Sequence, residues 1–291
     1  MGPFRVTVRR GPAVESVHLV HAVSVQGGRI IESVGDPHLL TFYRSAAKPI
    51  QALPLARERP DVTDAELAIA CASHRAEKAQ LEAAARLLAK APATEENLEC
   101  GPQAERGPSR LAHNCSGKHA GFIAVCRARD WPIEGYRLAD HPMQQLALHE
   151  VAAAAEIPPD AAPTAVDGCG VVTFALTLER MARSFSRLAE LDGGERIAAA
   201  MTARPELVGG EHAAVDTELM RARPGWVAKG GAEGVLCIAS PEGMGVALKV
   251  EDGASRARWP AIAKFVGLPD EWGRQPVVNN RGETVGEVAL A

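Results

Sequence analysis

Arg44-Ser45-Ala46-Ala47-Lys48-Pro49 sets a hydroxyl and an amine three residues apart. On a helical turn the two share a face, close enough for the amine to take the hydroxyl proton. Pro49 is tolerated only where a helix begins, which places Ser45 at the N-terminus of that helix, where the dipole favours developing negative charge. The same spacing also describes an N-cap serine beside a solvated lysine. Lys229-Gly230-Gly231 ends an expected strand in the C-terminal half. Serine acyl enzymes built on S-x-x-K carry a K-T-G triad on an edge strand facing the nucleophile, where a small residue lets substrate approach the backbone. Here Gly stands in place of the hydroxyl residue and no S-D-N occurs, which argues against a penicillin-type substrate. Ser73, in Cys71-Ala72-Ser73-His74 between two helices, either supplies the missing hydroxyl near Lys229 or caps the helix expected from Arg75.

A third group is His113-Asn114-Cys115-Ser116-Gly117-Lys118-His119, followed by Asp167-Gly168-Cys169-Gly170. Cys115, Lys118 and His119 share one helical face, and Cys169 lies on a Gly-flanked turn. Two thiolates and another donor can hold zinc, but the ligands come singly and without finger or ribbon spacing, so two buried structural thiols remain the other reading. Gly117-Lys118 does not complete a P-loop, and His149-Glu150 does not complete H-E-x-x-H.

The elements that must carry these residues follow from periodicity. Strands are expected at 4–9, 17–25 and 29–34, the last two joined through Gly27-Gly28. Thr63-Asp64-Ala65-Glu66 reads as a capping box, and Leu81, Ala84, Ala85 and Leu88 keep helical spacing. Further helices are expected at 117–129, 143–155, 176–191 and 195–203. Short strands at 226–228, 235–239 and 246–250 precede a helix at 261–266, and a last strand at 284–290 follows the turn at 280–282. The expected fold class is α+β: an antiparallel sheet from the N- and C-terminal strands, covered by helices, with a central lobe, about residues 60–205, that is mainly helical. Residues 1–291 then form a single catalytic domain, with the Gly- and Pro-rich stretch 101–108 as a long loop.

With 46% hydrophobic and 23% charged residues, the 291-residue chain is of ordinary globular composition. Thirty-two basic against 36 acidic residues give a net charge of −4, so no nucleic acid and no anionic membrane surface is expected as partner. The start of the chain lacks the apolar core of a secretory signal, which leads to the expectation of a cytoplasmic protein. Six scattered cysteines without a C-x-x-C pair are expected to be reduced.

Taken together, the five blocks around Ser45, Ser73, Cys115, Cys169 and Lys229 resemble the signature blocks of the rhizobial-type L-asparaginase family, in order and across nearly the whole chain. The resemblance implies a serine-β-lactamase-like fold, a homodimer, and hydrolysis of L-asparagine to L-aspartate and ammonia. It implies two Ser-Lys pairs, Ser45 with Lys48 and Ser73 with Lys229. It further implies zinc on Cys115, Lys118 and Cys169, with the metal modulating rather than strictly catalytic. Asp167, Lys118, Arg44 and Gly231 would contact substrate. The other readings are a β-lactamase- or peptidase-like serine acyl hydrolase and a non-catalytic amino-acid-binding protein.

Overall fold

The computed structural model describes residues 1–212 and 214–291. Eleven strands occur among them: β1 (Phe4–Arg10), β2 (Ala13–Gln26), β3 (Arg29–Val34), β4 (Leu40–Phe42), β5 (Thr164–Val166), β6 (Val172–Thr177), β7 (Val227–Gly230), β8 (Val235–Ala239), β9 (Met244–Val250), β10 (Gln275–Val278) and β11 (Thr284–Leu290). The main sheet runs β10-β11-β1-β2-β9-β8-β7, every pair antiparallel, with β3 paired to β2 beyond the end of β1. Both termini therefore lie in one sheet, as the terminal strand patterns require.

β2 is the spine of this sheet. Its first half pairs with β1 and is largely exposed, whereas from Val20 to Val25 it lies between β3 and β9 and is buried. The β2–β3 turn is Gly27-Gly28, with φ of 55° and 74°, a conformation that costs a residue with a Cβ and that matches the twist of a two-residue hairpin. The helices Leu178–Ser186 and Arg258–Phe265 pack on this sheet, the first against β2, β8 and β9 and the second against β1, β2, β9 and β11.

In the middle of the chain the helix Asp64–Ala70 is the hub, packed by Lys78–Lys90, Ser116–Ala128, Gly194–Ala203 and Pro205–Gly209. Its start is the capping box that the sequence spells: Glu66 accepts from the Thr63 N–H at 2.8 Å and from the Thr63 hydroxyl at 2.9 Å. Close packing fixes its far end, since a Cβ on Gly117 would meet the Ile69 carbonyl oxygen at 2.1 Å.

The middle is mainly helical, as expected, and also carries β5 and β6, which with β4 make a second, three-stranded antiparallel sheet. Two local expectations are corrected. Within the helix expected at 176–191, residues 176 and 177 finish β6, the α-helix runs from Leu178 to Ser186, and a 3-10 turn covers 188–190. An apolar run such as Val171–Leu178 has no periodicity that separates buried strand from buried helix. The helix expected from Arg75 begins at Lys78, after Glu77 takes the capping role.

Candidate active site

Ser45 stands inside a 3-10 turn, Arg44–Ala47, which passes directly into the short α-helix Lys48–Gln51, with Pro49 in its first turn. The residue preceding the turn is Tyr43, so Ser45 is not an N-cap. Arg44 has φ of 51°, a strained setting for a residue with a side chain, at the position just before the candidate nucleophile. Its guanidinium is held by Asp167, with Nε donating to Oδ1 at 2.8 Å.

Lys48 has no exposed surface. Its amine donates to the Ala72 carbonyl and to Ser73 Oγ at 3.2 Å, both on the loop that leaves the hub helix. Burial lowers its affinity for a proton below the ordinary lysine value; Cys115 opposes this, while Lys118 and Lys229 reinforce it by like charge. A lysine with no carboxylate among its bonded partners and a depressed proton affinity is more readily the neutral base than a free lysine. The 72–74 loop is tied down on both sides: Ser73 N–H donates to Val208 O at 3.1 Å and His74 N–H to Asn114 O at 3.2 Å. His74, fully buried, bonds Ser116 Oγ at 2.8 Å through Nε2. Ser73 therefore caps no helix, and its hydroxyl meets the amine of Lys48.

Lys229, also without exposed surface, sits on the sheet-edge strand β7 opposite Cys237. It donates to Asp216 Oδ2 at 3.0 Å and to Gly230 O at 2.7 Å. Among the described hydrogen bonds Ser73 is joined to Lys48 and Lys229 to Asp216, and neither of the expected pairs, Ser45–Lys48 or Ser73–Lys229, is bonded directly. Gly231 brings β7 against the Ser45 turn, for a Cβ there would lie 3.1 Å from Tyr43 O and 3.3 Å from Ala46 N. Two backbone donors beside the turn are already engaged, Ala46 N–H by Tyr43 O and Gly231 N–H by Val235 O. Neither is free for an oxyanion.

Asp167 and Cys169 lie on the turn between β5 and β6, where Gly170 adopts φ of 86° and its N–H returns to Asp167 O at 2.8 Å. Cys115 precedes the helix Ser116–Ala128, and Lys118 projects from the first turn of that helix to Cys169 Sγ at 3.3 Å. The Cys169 thiol is brought down to about 5, first by hydrogen bonding with Cys115, against the opposing effect of burial, and then by the Lys118 ammonium. Burial works against charge on Lys118, but Cys169, Cys115 and Asp167 more than offset it, so that the amine is held protonated. Among the described residues no three His, Cys, Asp or Glu side chains gather as a metal site. Two sulfurs and one amine do converge, buried and with one thiol already poised as thiolate, and such a donor set suits a thiophilic divalent ion once the lysine gives up its proton.

Sequence reasoning missed Asp216. It lies in the first turn of the helix Val215–Ala222, an ordinary place for an acidic residue, and no spacing relates it to Lys229.

A family model described as L-asparaginase II matches residues 6–290. The sequence matches no curated protein. Among solved structures, the chain is similar to Mglu in its native form in the presence of 4.3 M NaCl, at 14% identity and a TM-score of 0.51, covering 86% of this chain and 62% of that one. It is similar to a second native form of Mglu at 14% identity and a TM-score of 0.50, covering 86% and 65%. A β-lactamase from Mycobacterium bovis aligns at 15% identity with a TM-score of 0.38 over 87% of this chain and 95% of that one. The chain spans less than two thirds of the Mglu chains. The likeness to the two Mglu structures concerns the fold.

Proposed function

The chain belongs to the L-asparaginase II family, and from that membership we propose that it hydrolyses the side-chain amide of L-asparagine to L-aspartate and ammonia. The observation that carries the chemistry is the buried amine of Lys48, one turn from Ser45 and 3.2 Å from Ser73 Oγ, with its proton affinity lowered.

In this reading Ser45 attacks the amide carbon and its proton passes to Lys48. Ser73 returns that proton to the departing nitrogen, which leaves as ammonia. Water then attacks the Ser45 ester, giving a proton to Lys48, and as the Ser45 C–O bond breaks Lys48 returns that proton to Ser45 Oγ, freeing aspartate. Arg44 and Asp167 form the polar wall at which the amino acid's own charges are received, Asp167 taking the ammonium, with Gly231 leaving room at the strand edge. Zinc, where bound, would be held by Cys115, Lys118 and Cys169, and it supplies a fixed positive charge that orients the substrate. Ser45 and Lys48 need no metal-bound hydroxide.

Exposed Leu40, Phe42 and Val166 on the small sheet offer apolar surface for the expected homodimer. No helix among the described residues is long and apolar enough to cross a membrane.

The deciding experiment measures ammonia release from asparagine and glutamine, alongside turnover of a chromogenic β-lactam. Ammonia from asparagine alone carries the proposal. Turnover of the β-lactam without ammonia release would move the assignment to a β-lactamase- or peptidase-like acyl hydrolase, and binding of asparagine with no turnover of any of the three to an amino-acid-binding protein.

A further inference from the structure

We propose that Asp216 is a positioning residue that holds Lys229 as a permanent ammonium behind the Ser45 turn, so that the two buried lysines divide the work: Lys48 moves protons and Lys229 remains a fixed cation. The inference rests on the reading of the site as a serine hydrolase, and it changes the role that a second Ser-Lys pair would give Lys229.

The geometry is specific. One carboxylate oxygen, Asp216 Oδ2, accepts from both Lys229 Nζ and Gly230 N–H, each at 3.0 Å. Lys229 Nζ donates a second bond to Gly230 O at 2.7 Å. A buried amine that donates to a buried carboxylate and to a carbonyl has the geometry of a locally compensated ion pair. Removing the carboxylate from such a pair strands a buried charge, and the charge is lost instead.

Gly230 is where the clamp closes. A Cβ there would lie 2.8 Å from Asp216 Oδ1 and 2.5 Å from Arg258 Nη1. Arg258 reaches in from the helix Arg258–Phe265 to the Val235 carbonyl at 3.2 Å. Burial works to raise the Asp216 carboxyl, but Lys229, Arg258 and the Gly230 N–H together hold it below the usual carboxylate range. The other titratable groups around Lys229 are Cys71, Cys237 and Lys48. Burial raises both thiols, Cys71 to about 12, so neither supplies a counter-charge at neutral pH. Lys48 is of like sign, and after burial and Lys118 the charge of Lys229 adds to the loosening of its proton. Asp216 is therefore the one carboxylate bonded to Lys229 among the described residues.

The test uses the full-length protein with lysine labelled at 13Cε, the two buried lysines being assigned through Lys48→Met and Lys229→Met. In the wild type the Lys229 signal is expected to stay at the ammonium position across pH 6–9, while that of Lys48 titrates. In Asp216→Asn, which keeps shape and one acceptor, Lys229 is expected to shift to the neutral amine. The acid limb of kcat for ammonia release then moves to higher pH, because Lys48 loses the like charge that depressed it. Lys229→Met should move that limb in the same direction, and the double variant should move it no further. An Asp216→Asn protein that melts earlier but keeps both the Lys229 signal and the pH profile would reduce Asp216 to a structural brace. Should Asp216→Asn not fold, Lys229→Met and the wild-type spectrum decide alone: a titrating Lys229, or an unshifted limb in Lys229→Met, overturns the division. The spectrum needs no turnover, so absence of asparagine hydrolysis would sink the functional assignment while leaving the state of Lys229 readable.

Discussion

The Nζ of Lys48 donates to Ser73 Oγ at 3.2 Å, so the lysine one turn beyond Ser45 also serves a serine brought in from the end of the hub helix. In the proposed reaction Lys48 passes protons between Ser45, its neighbour on the turn, and Ser73, to which it is bonded, and the two serines should differ in what their loss does. Ser45→Ala is expected to abolish ammonia release, whereas Ser73→Ala should lower kcat by roughly the 10²–10⁴-fold typical of a lost proton-transfer group, with KM little changed. Neither serine caps a helix, so each variant should melt within a few degrees of the wild type. Near-normal kcat in Ser45→Ala would make Ser73 the nucleophile.

Burial lowers the proton affinity of Lys48, and the working form is the neutral amine. kcat/KM should therefore rise with pH along a limb centred below the free-lysine value of about 10.4. The sign for stability is the same. Between the depressed folded value and the ordinary unfolded one the unfolded chain binds the extra proton, so stability attributable to Lys48 rises with pH across that window. Tm against pH, measured for the wild type and Lys48→Met, should be flatter for the variant. Activity that peaks in acid and is gone above neutrality would contradict a lysine base.

His74 is lowered to about 3, first by burial and then by the Lys48 charge, so it stays neutral in the folded protein through mild acid. The unfolded chain protonates it near pH 6.5. Stability should then fall as pH drops from about 6.5 toward about 3 and level off below. The cost approaches about 1.4 kcal/mol for each pH unit within that window. His74→Gln should show a smaller loss of urea midpoint between pH 7 and 4.5 than the wild type. Equal slopes for the two would assign acid sensitivity elsewhere.

Chelation of a metal held by Cys115, Lys118 and Cys169 should raise KM for asparagine and largely spare kcat, the pattern of lost uniform binding. Cys169→Ser should reproduce it without chelator. Loss of kcat that added zinc restores would instead make the metal catalytic.

Gly117→Ala places a methyl 2.1 Å from the Ile69 carbonyl, and backbone cannot yield cheaply. A loss of about 1–3 kcal/mol is expected from such overpacking, read as a lower denaturant midpoint. Because Gly117 lies next to Lys118, KM should rise as well. An unchanged KM would separate the helix contact from the site.

What the sequence determined by itself was local: the terminal strands, the left-handed turn at Gly27-Gly28, the Thr63–Glu66 capping box, and Ser45 with Lys48 on one turn. In each case the information lies within a few residues, as alternation, a turn requirement or an i, i+3 spacing. The hairpin carrying Asp167 and Cys169 was not legible as a hairpin, because β6 is an apolar run that fits a buried helix equally well until β4 and β5 pair with it. The partners of the two lysines were decided only in three dimensions. Asp216 is 13 residues from Lys229 in the chain, on a helix whose first turn accepts any acid. Packing that buries both lysines sets Asp216 against Lys229 and Ser73 against Lys48, which has no carboxylate among its described partners.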